Sequence, residues 1–172
     1  SSIDKVRSIS VWIFIIPFLS INTCLLIVTN FHQILEPGVP INPTFPYFDG
    51  GVSISRTVRD FPLYLIFKPA MFITSFLLIL YWLNTKKIIN HFHKDYSNER
   101  KIVFFGISSA ILLTLHSIFL GIKFDNDLYK LFRRVVMLSF IIFEIIAQAY
   151  LIKFFYEIRH KLNKYINITY LK

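Results

Sequence analysis

Among the polar and ionisable side chains within the apolar runs of this chain, five are its main candidates for chemistry. They are Asn22, Lys68, His116, Arg133 and Glu144. A charged group in the interior of a bilayer is costly, so such residues mark binding or reaction sites by default. Glu144 is the most demanding of the five. It lies near the middle of its apolar run and therefore needs a partner or a bound proton.

The depths of these residues indicate what they could form together. Counting 1.5 Å per residue places Asn22, Lys68 and His116 about 10 Å below the same membrane surface, with Arg133 just above them. Arg133 and Glu144 share one face of their helix. The sequence therefore predicts a polar cavity that opens toward that surface. A set of interhelical hydrogen bonds without a ligand is the alternative, and Lys68 could simply extend outward to the surface.

Enzyme signatures are weak. The sequence has no nucleophile elbow, no phosphate-binding glycine loop and no H-E-x-x-H motif. His116 and Glu144 could form a general-base pair in principle, but depths of about 10 Å and about 20 Å argue against contact. His91 and His93 have no further ligand nearby, and Cys24 is the one cysteine. We therefore predict no catalytic residues, no metal and no cofactor.

The elements that must position these residues are membrane helices. Of the 172 residues, 55% are hydrophobic and 17% are aromatic, and the apolar residues form four long runs. Runs of this length cross a bilayer as helices. The predicted fold is all-α, a polytopic membrane protein with one domain (residues 1–172) and four transmembrane helices in a bundle. The predicted spans are residues 9–28, 61–83, 102–122 and 131–155.

Local patterns refine this picture. Tyr81 and Trp82 end the second predicted span, where interfacial aromatic residues are common. Gly106 and Ser109 in the third span are small residues suited to close helix packing. A polar loop is predicted over residues 84–101, between the second and third spans.

The distribution of charge orients the spans. The net charge is +9, and the basic residues flank the apolar runs and form no stripe on a polar fold. This pattern argues against a nucleic-acid partner and favours contact with anionic lipid. The amino end, the 84–101 loop and the basic tail (residues 156–172) carry most of the Lys and Arg. The bias predicts a multi-pass protein with both termini cytoplasmic, in a membrane that the sequence does not identify.

The longest connection is predicted to be an ordered, proline-rich outer loop over residues 29–60. Prolines at every third position from Pro37 to Pro46 match the period of polyproline II. Gly50-Gly51 then permits a sharp turn. Arg56 and Arg59 follow, three apart, and would share a face if the chain is helical there. A stiff connector without a ligand is the simpler alternative.

The loop also carries a resemblance to a known family. Its motif comprises Asn42, Pro43, Pro46, Tyr47, Asp49, Gly50 and Gly51. With the following arginines and the glutamate of the last span, this resembles the DRAM, FGF-receptor-activating-protein and Golgi GPI-lipid-remodelling membrane proteins. Phe48-Asp49 departs from the Ile-Ser of the family motif, and four spans from the usual five or six. The resemblance implies a multispan protein that handles GPI-anchor or other membrane lipids, and it assigns no catalytic residues.

The predicted function is that of a non-enzymatic integral membrane protein that interacts with or organises lipid, through anionic head groups. The residues predicted to bind the lipid or a protein partner are Arg56, Arg59, Lys68, His116, Arg133, Arg134 and Glu144. One alternative is an accessory subunit of a larger membrane complex, with its Phe-rich spans and stiff loop contacting other subunits. The second is a lipid-modifying membrane enzyme that uses His116 and Glu144.

Overall fold

The computed structural model describes residues 2–30, 58, 61–94, 96–122 and 126–162, and these are mainly helical. The helices are α1 (Ser2–Asn30), α2 (Tyr64–Phe92), α3 (Glu99–Phe119), α4 (Asp127–Glu157) and the short α5 (Arg159–Leu162). Each of the first four is long and apolar enough to cross a membrane. For the described residues, the prediction of an all-α fold with four apolar, membrane-length helices is confirmed. Residues 29 and 30 of the predicted proline-rich loop are the last residues of α1, and Val58 is buried; the rest of the loop lies outside the described residues.

Most helix ends lie beyond the predicted apolar spans, whereas α2 begins three residues inside its span and α3 ends three residues inside its own. The 31 residues of α4 measure about 46 Å along the axis, against about 30 Å for the hydrocarbon layer. A membrane helix does not have to end at the bilayer surface, because its polar flanks can continue as helix among the lipid head groups. Both α1 and α2 also continue through an internal proline, Pro17 and Pro69 respectively.

The polar loop predicted at residues 84–101 is wrong for most of its length, because α2 continues to Phe92 and α3 begins at Glu99. Side chains hold the two helix ends together across the short turn. Lys86 Nζ lies 3.7 Å from Glu99 Oε1, and the Asn90 amide nitrogen donates to the same oxygen at 3.3 Å. The acidic group in the first turn of α3 also suits the positive end of the helix dipole.

The helices contact one another in chain order. Extensive contacts join α1 with α2, α2 with α3, and α3 with α4. In the described part of the chain, α1 and α4 make no comparable contact. The short connections make α2, α3 and α4 successively antiparallel. We name their two ends the α2–α3 end (residues 93–98) and the α3–α4 end (residues 120–126).

Two apolar clusters form the core. The first lies toward the α2–α3 end and is centred on Trp82, Ile89 and Phe154, all fully buried. The second lies toward the α3–α4 end and includes Leu63 and Leu120. Outside these clusters many large apolar side chains are exposed on the helices. That is the expected surface of helices surrounded by lipid.

Candidate functional site

The carboxyl group of Glu144 is the centre of a polar site between α2, α3 and α4. Its Oε2 lies 3.3 Å from Trp82 Nε1 and 2.6 Å from Ser109 Oγ. Gln148, one turn later on α4, donates from Nε2 to the other carboxyl oxygen at 2.9 Å. Glu144 therefore has the partners that its position requires, and the partners are neutral groups from three helices.

Gly106 creates the space in which Trp82 reaches this site. The Trp82 side chain is fully buried, and a Cβ atom at position 106 would overlap its indole ring. Because glycine has no Cβ, the backbone of α3 can approach the ring this closely. Ser109 lies one turn further along α3 and is also fully buried. The spacing Gly106-x-x-Ser109 thus places both donors against Glu144.

A second layer of side chains surrounds these contacts. The Tyr81 side chain interacts with Glu144, Gln148 and Thr85. Its ring packs edge-on against the Trp82 ring, with centroids 5.1 Å apart. Fully buried Ala110 and Ala147 belong to the same core cluster as Trp82. The site is therefore polar at its centre and lies beside an apolar and aromatic core cluster.

A second polar contact joins α2 and α3 nearer the α3–α4 end. Ser75 Oγ donates to the Ala110 carbonyl oxygen at 2.7 Å and also contacts the Thr114 hydroxyl. Ser75 is buried and Thr114 is partly buried. Small hydroxyl side chains commonly join membrane helices in this way, so the contact fixes how α2 and α3 are aligned.

Basic and aromatic side chains surround the carboxyl-terminal end of α3. Lys68 Nζ lies 3.4 Å from the Ile118 carbonyl oxygen and 5.6 Å from the centroid of the Tyr64 ring. The Tyr129 hydroxyl donates to the Phe119 carbonyl oxygen at 2.7 Å. The last carbonyl groups of a helix have no partner within it, so α2 and α4 supply these bonds. The Arg133 guanidinium lies 5.9 Å from the Tyr129 ring centroid.

The structure divides the predicted cavity residues between two places. Lys68 and Arg133 lie near the carboxyl-terminal end of α3, whereas Glu144 lies about 16 Å from Arg133 along α4, counted as eleven residues of helix rise. His116 is in the last turn of α3, and its carbonyl oxygen accepts the Leu120 N–H. Asn22 donates to the Phe18 carbonyl oxygen of its own helix at 2.6 Å.

The remaining predicted site residues are either exposed or outside the described part of the chain. Arg134 is exposed near the start of α4. The paired arginines of the loop and the loop motif lie outside the described residues; they are Arg56, Arg59, Asn42, Pro43, Pro46, Tyr47, Asp49, Gly50 and Gly51. In the part of the chain that the structure describes, no group of three or more His, Cys, Asp or Glu side chains could hold a metal ion.

Sequence reasoning identified Glu144 but missed two of its partners. It placed Trp82 at a membrane interface, whereas the side chain is 0% exposed and lies inside the helix assembly. It treated Ser109 as a small packing residue without assigning a hydrogen bond. Two features of the sequence could have indicated these partners. One is a tryptophan in the second half of α2, and the other is a stripe of small residues in α3; both could face the carboxyl group of Glu144.

Comparisons with known proteins provide no relative from which a role could be transferred. No protein family, curated protein or solved structure matches the chain. The resemblance in the loop therefore stays a prediction, and any functional argument must come from the residues themselves.

Proposed function

We propose that the chain is a non-enzymatic integral membrane protein that binds anionic lipid head groups at the α3–α4 end of its helices. The observation that carries the proposal is the position of Lys68 and Arg133. They come from two different helices and lie near the same carboxyl-terminal end of α3. Arg134 adds a third cation at this end. Phosphate-containing head groups are the usual anions at this depth of a membrane.

The donor groups of these cations suit the same ligand class. Lys68 has three N–H donors, and the bond to Ile118 uses one of them. The cation–π contact holds the Arg133 guanidinium near the Tyr129 ring, where its planar edge suits a phosphate.

In this proposal the four membrane helices form a bundle with both termini cytoplasmic. The α3–α4 end then faces away from the cytoplasm, together with the predicted outer loop. Arg56 and Arg59 of that loop would add two cations to the same surface. The positive-inside tendency leaves few basic residues on this side. Basic residues there therefore need a specific reason, and an anionic lipid supplies one.

The test is retention of lipid by the purified protein. Wild type and a Lys68→Met/Arg133→Gln double variant are reconstituted in nanodiscs of phosphatidylcholine with phosphatidylinositol or phosphatidylserine. Bound lipid is then counted by native mass spectrometry. We expect the double variant to lose anionic lipid by about tenfold, which corresponds to about 1.4 kcal/mol. A Lys87→Met/Lys153→Gln variant, with exposed lysines on α2 and α4 away from this end, is the matched control and should retain the lipid. Equal retention in both variants would contradict the proposal.

An accessory subunit of a larger membrane complex is the second candidate. The pattern of helix contacts favours this role. Among the described residues, α1 makes extensive contact with α2 alone of the long helices, and α4 with α3 alone. Their remaining faces carry exposed apolar side chains such as Phe14 and Ile145. The same mass spectra separate the two candidates. A stable monomer in mild detergent would argue against the subunit role.

A lipid-modifying enzyme has less support. Its mechanism would use His116 and Glu144 as a pair. The carboxyl group of Glu144 is instead hydrogen-bonded to Trp82, Ser109 and Gln148.

A further inference from the structure

We propose that the amino-terminal part of α1 binds the head group of a zwitterionic phospholipid of the phosphatidylethanolamine class. The site is a cavity of about 350 Å³ against α1. It lies at the opposite end of the molecule from the anionic-lipid site and does not depend on that site. Three observations support it: the cavity itself, the order of the charges that line it, and the depth of the lining residues in the membrane.

One face of α1 supplies the described lining of the cavity. The lining residues are Asp4, Arg7, Ser8, Val11 and Trp12, and all five are exposed. Spacings of three and four residues make these side chains neighbours on the surface of a helix. Sites for small ligands commonly have volumes of about 300–1,000 Å³, so the cavity is large enough for one lipid head group.

This face of α1 crosses the membrane surface at the α2–α3 end. Ile13 packs against the first core cluster and Cys24 belongs to the second, so the amino-terminal part of α1 lies at the α2–α3 end. The three polar lining residues precede the predicted apolar span, which begins at residue 9, and the two apolar ones follow its start. The polar residues therefore lie among lipid head groups, and the apolar residues lie at the edge of the hydrocarbon layer.

The charges of this face follow the order of the charges in phosphatidylethanolamine. Asp4 is the outer of the two charged residues, and Arg7 lies about 4.5 Å of helix rise deeper. In the lipid the ammonium group is outermost, and two carbon atoms join it to the phosphate ester beneath. The ammonium group can therefore donate to Asp4 while the phosphate accepts from Arg7 and from the Ser8 hydroxyl. A carboxylate has about four acceptor positions, so Asp4 can keep its other interaction at the same time.

The deeper part of the face suits the glycerol esters and the acyl chains of the same lipid. Trp12 follows Asp4 by about 12 Å of helix rise, which is too deep for the ammonium group. The indole N–H can donate to an ester carbonyl oxygen, and tryptophan side chains are common at this level of a membrane. Phe18 and Leu19 lie seven residues after Val11 and Trp12, on the same face, and both are exposed. The acyl chains can therefore continue along α1.

The pair of opposite charges distinguishes this ligand from other phospholipids. A head group without an ammonium group, such as that of phosphatidylinositol, would place only negative charge beside Asp4. Phosphatidylcholine has a positive group but no N–H, so it can attract the carboxylate without donating a hydrogen bond. Because the site is exposed, we expect the N–H groups to give a preference of about threefold for phosphatidylethanolamine over phosphatidylcholine.

Native mass spectrometry of the full chain tests the site. The protein is reconstituted in nanodiscs with equal amounts of phosphatidylethanolamine and phosphatidylcholine that carry the same acyl chains, and the lipids retained after release into mild detergent are counted. We expect wild type to retain about threefold more phosphatidylethanolamine. Asp4→Asn should remove this preference, because the two lipids differ only at the ammonium group. Arg7→Gln should lower the retention of both lipids, because both contain the phosphate.

Two control variants change charges outside the cavity. Lys5→Gln removes an exposed cation that is adjacent in sequence but does not line the cavity, and Glu157→Gln removes an exposed carboxylate of α4. Both should keep the retention and the preference of wild type. Because all four substituted positions are exposed, an unchanged Tm is expected and verifies folding. Equal retention of the two lipids by wild type, or a preference that survives Asp4→Asn, would overturn the proposal.

Soluble phosphoethanolamine distinguishes a membrane lipid from a free phosphate ester. The apolar contacts with Val11 and Trp12 require acyl chains, so an excess of the soluble compound should leave the retained lipid in place. Displacement of phosphatidylethanolamine would show that the site takes the free ester, and it would overturn the assignment to a lipid. The Lys68→Met/Arg133→Gln variant should keep the preference for phosphatidylethanolamine while it loses anionic lipid, so the two sites are tested separately.

Discussion

The indole N–H of Trp82 donates to the carboxyl group of Glu144 at 3.3 Å, although the two residues are 62 positions apart. Trp82 belongs to α2 and Glu144 to α4, and both helices make extensive contacts with α3. The long indole side chain therefore reaches past α3, over the backbone of Gly106. One tryptophan, one glycine and one glutamate thus connect three helices at a single site.

This relationship predicts different effects for two substitutions of Glu144. Glu144→Ala leaves the Trp82 and Gln148 donors without their carboxyl partner, and a buried unpaired donor costs about 1–3 kcal/mol. Glu144→Gln keeps the shape and one oxygen that can accept from Trp82, so we expect a smaller loss than for Glu144→Ala. Thermal denaturation in mild detergent should therefore give a clearly lower Tm for Glu144→Ala and a small change for Glu144→Gln.

Glu157 provides the control for that comparison. It lies in the last turn of α4 and is exposed, so Glu157→Ala should leave the Tm unchanged. Equal and large losses for Glu144→Ala and Glu144→Gln would show that the charge, rather than the hydrogen bonds, stabilises the helices. Equal and negligible losses would show that the site contributes little to stability.

Gly106→Ala is expected to destabilise the protein through steric overlap with Trp82. The added Cβ has no space beside the buried ring, and overpacking of this kind typically costs about 1–3 kcal/mol. If the ring is the cause, the Trp82→Leu background should reduce the cost of Gly106→Ala. A double-mutant cycle on Tm measures this coupling. Additive effects of the two substitutions would contradict the steric explanation.

The hydrogen bond from Tyr129 to the end of α3 is expected to stabilise only the last turn of that helix. Tyr129→Phe keeps the ring and removes the donor to the Phe119 carbonyl oxygen. The last turn of α3 should then open more often, and hydrogen exchange of the amides near Leu120 should accelerate. Tyr150→Phe is the matched control on α4, because the Tyr150 ring contacts Lys101 at 6.0 Å and the substitution leaves that ring in place. Equal exchange in the two variants would exclude a role for the hydroxyl.

The helices were predictable from the sequence because the main signal is the summed hydropathy of consecutive residues. Long apolar runs give the number of membrane-length helices whatever their neighbours are. The helix ends were less accurate, as shown by the predicted loop at residues 84–101, because apolar runs end at the membrane while helices do not. The mutual arrangement of helices depends on how each one is rotated, and hydropathy carries no information about rotation.

The candidate site was predictable only in part for the same reason. Glu144 could be identified alone, since a carboxyl group in an apolar run needs a partner wherever it points. Trp82 is amphipathic, and the sequence cannot distinguish an interfacial tryptophan from one that donates to a partly buried carboxyl group between helices. Lys68, at a depth of about 10 Å, and Glu144, at about 20 Å, were placed along one cavity that opens outward. The structure gives them different partners, because Lys68 contacts the carboxyl-terminal end of α3 whereas Glu144 contacts Trp82 and Ser109 deeper between the helices.

The predicted orientation of the helices leads to a final test with introduced cysteines. Four membrane crossings would place Ser8 and His160 on one side and Leu128 on the other, and all three are exposed. The single variants Ser8→Cys, His160→Cys and Leu128→Cys, each in a Cys24→Ala background, are treated with a membrane-impermeant maleimide in sealed vesicles. We expect labelling of the Ser8→Cys and His160→Cys variants to depend on membrane permeabilisation in the same way, and labelling of the Leu128→Cys variant in the opposite way. Labelling of all three variants from one side would show that at least one of the helices does not cross the bilayer.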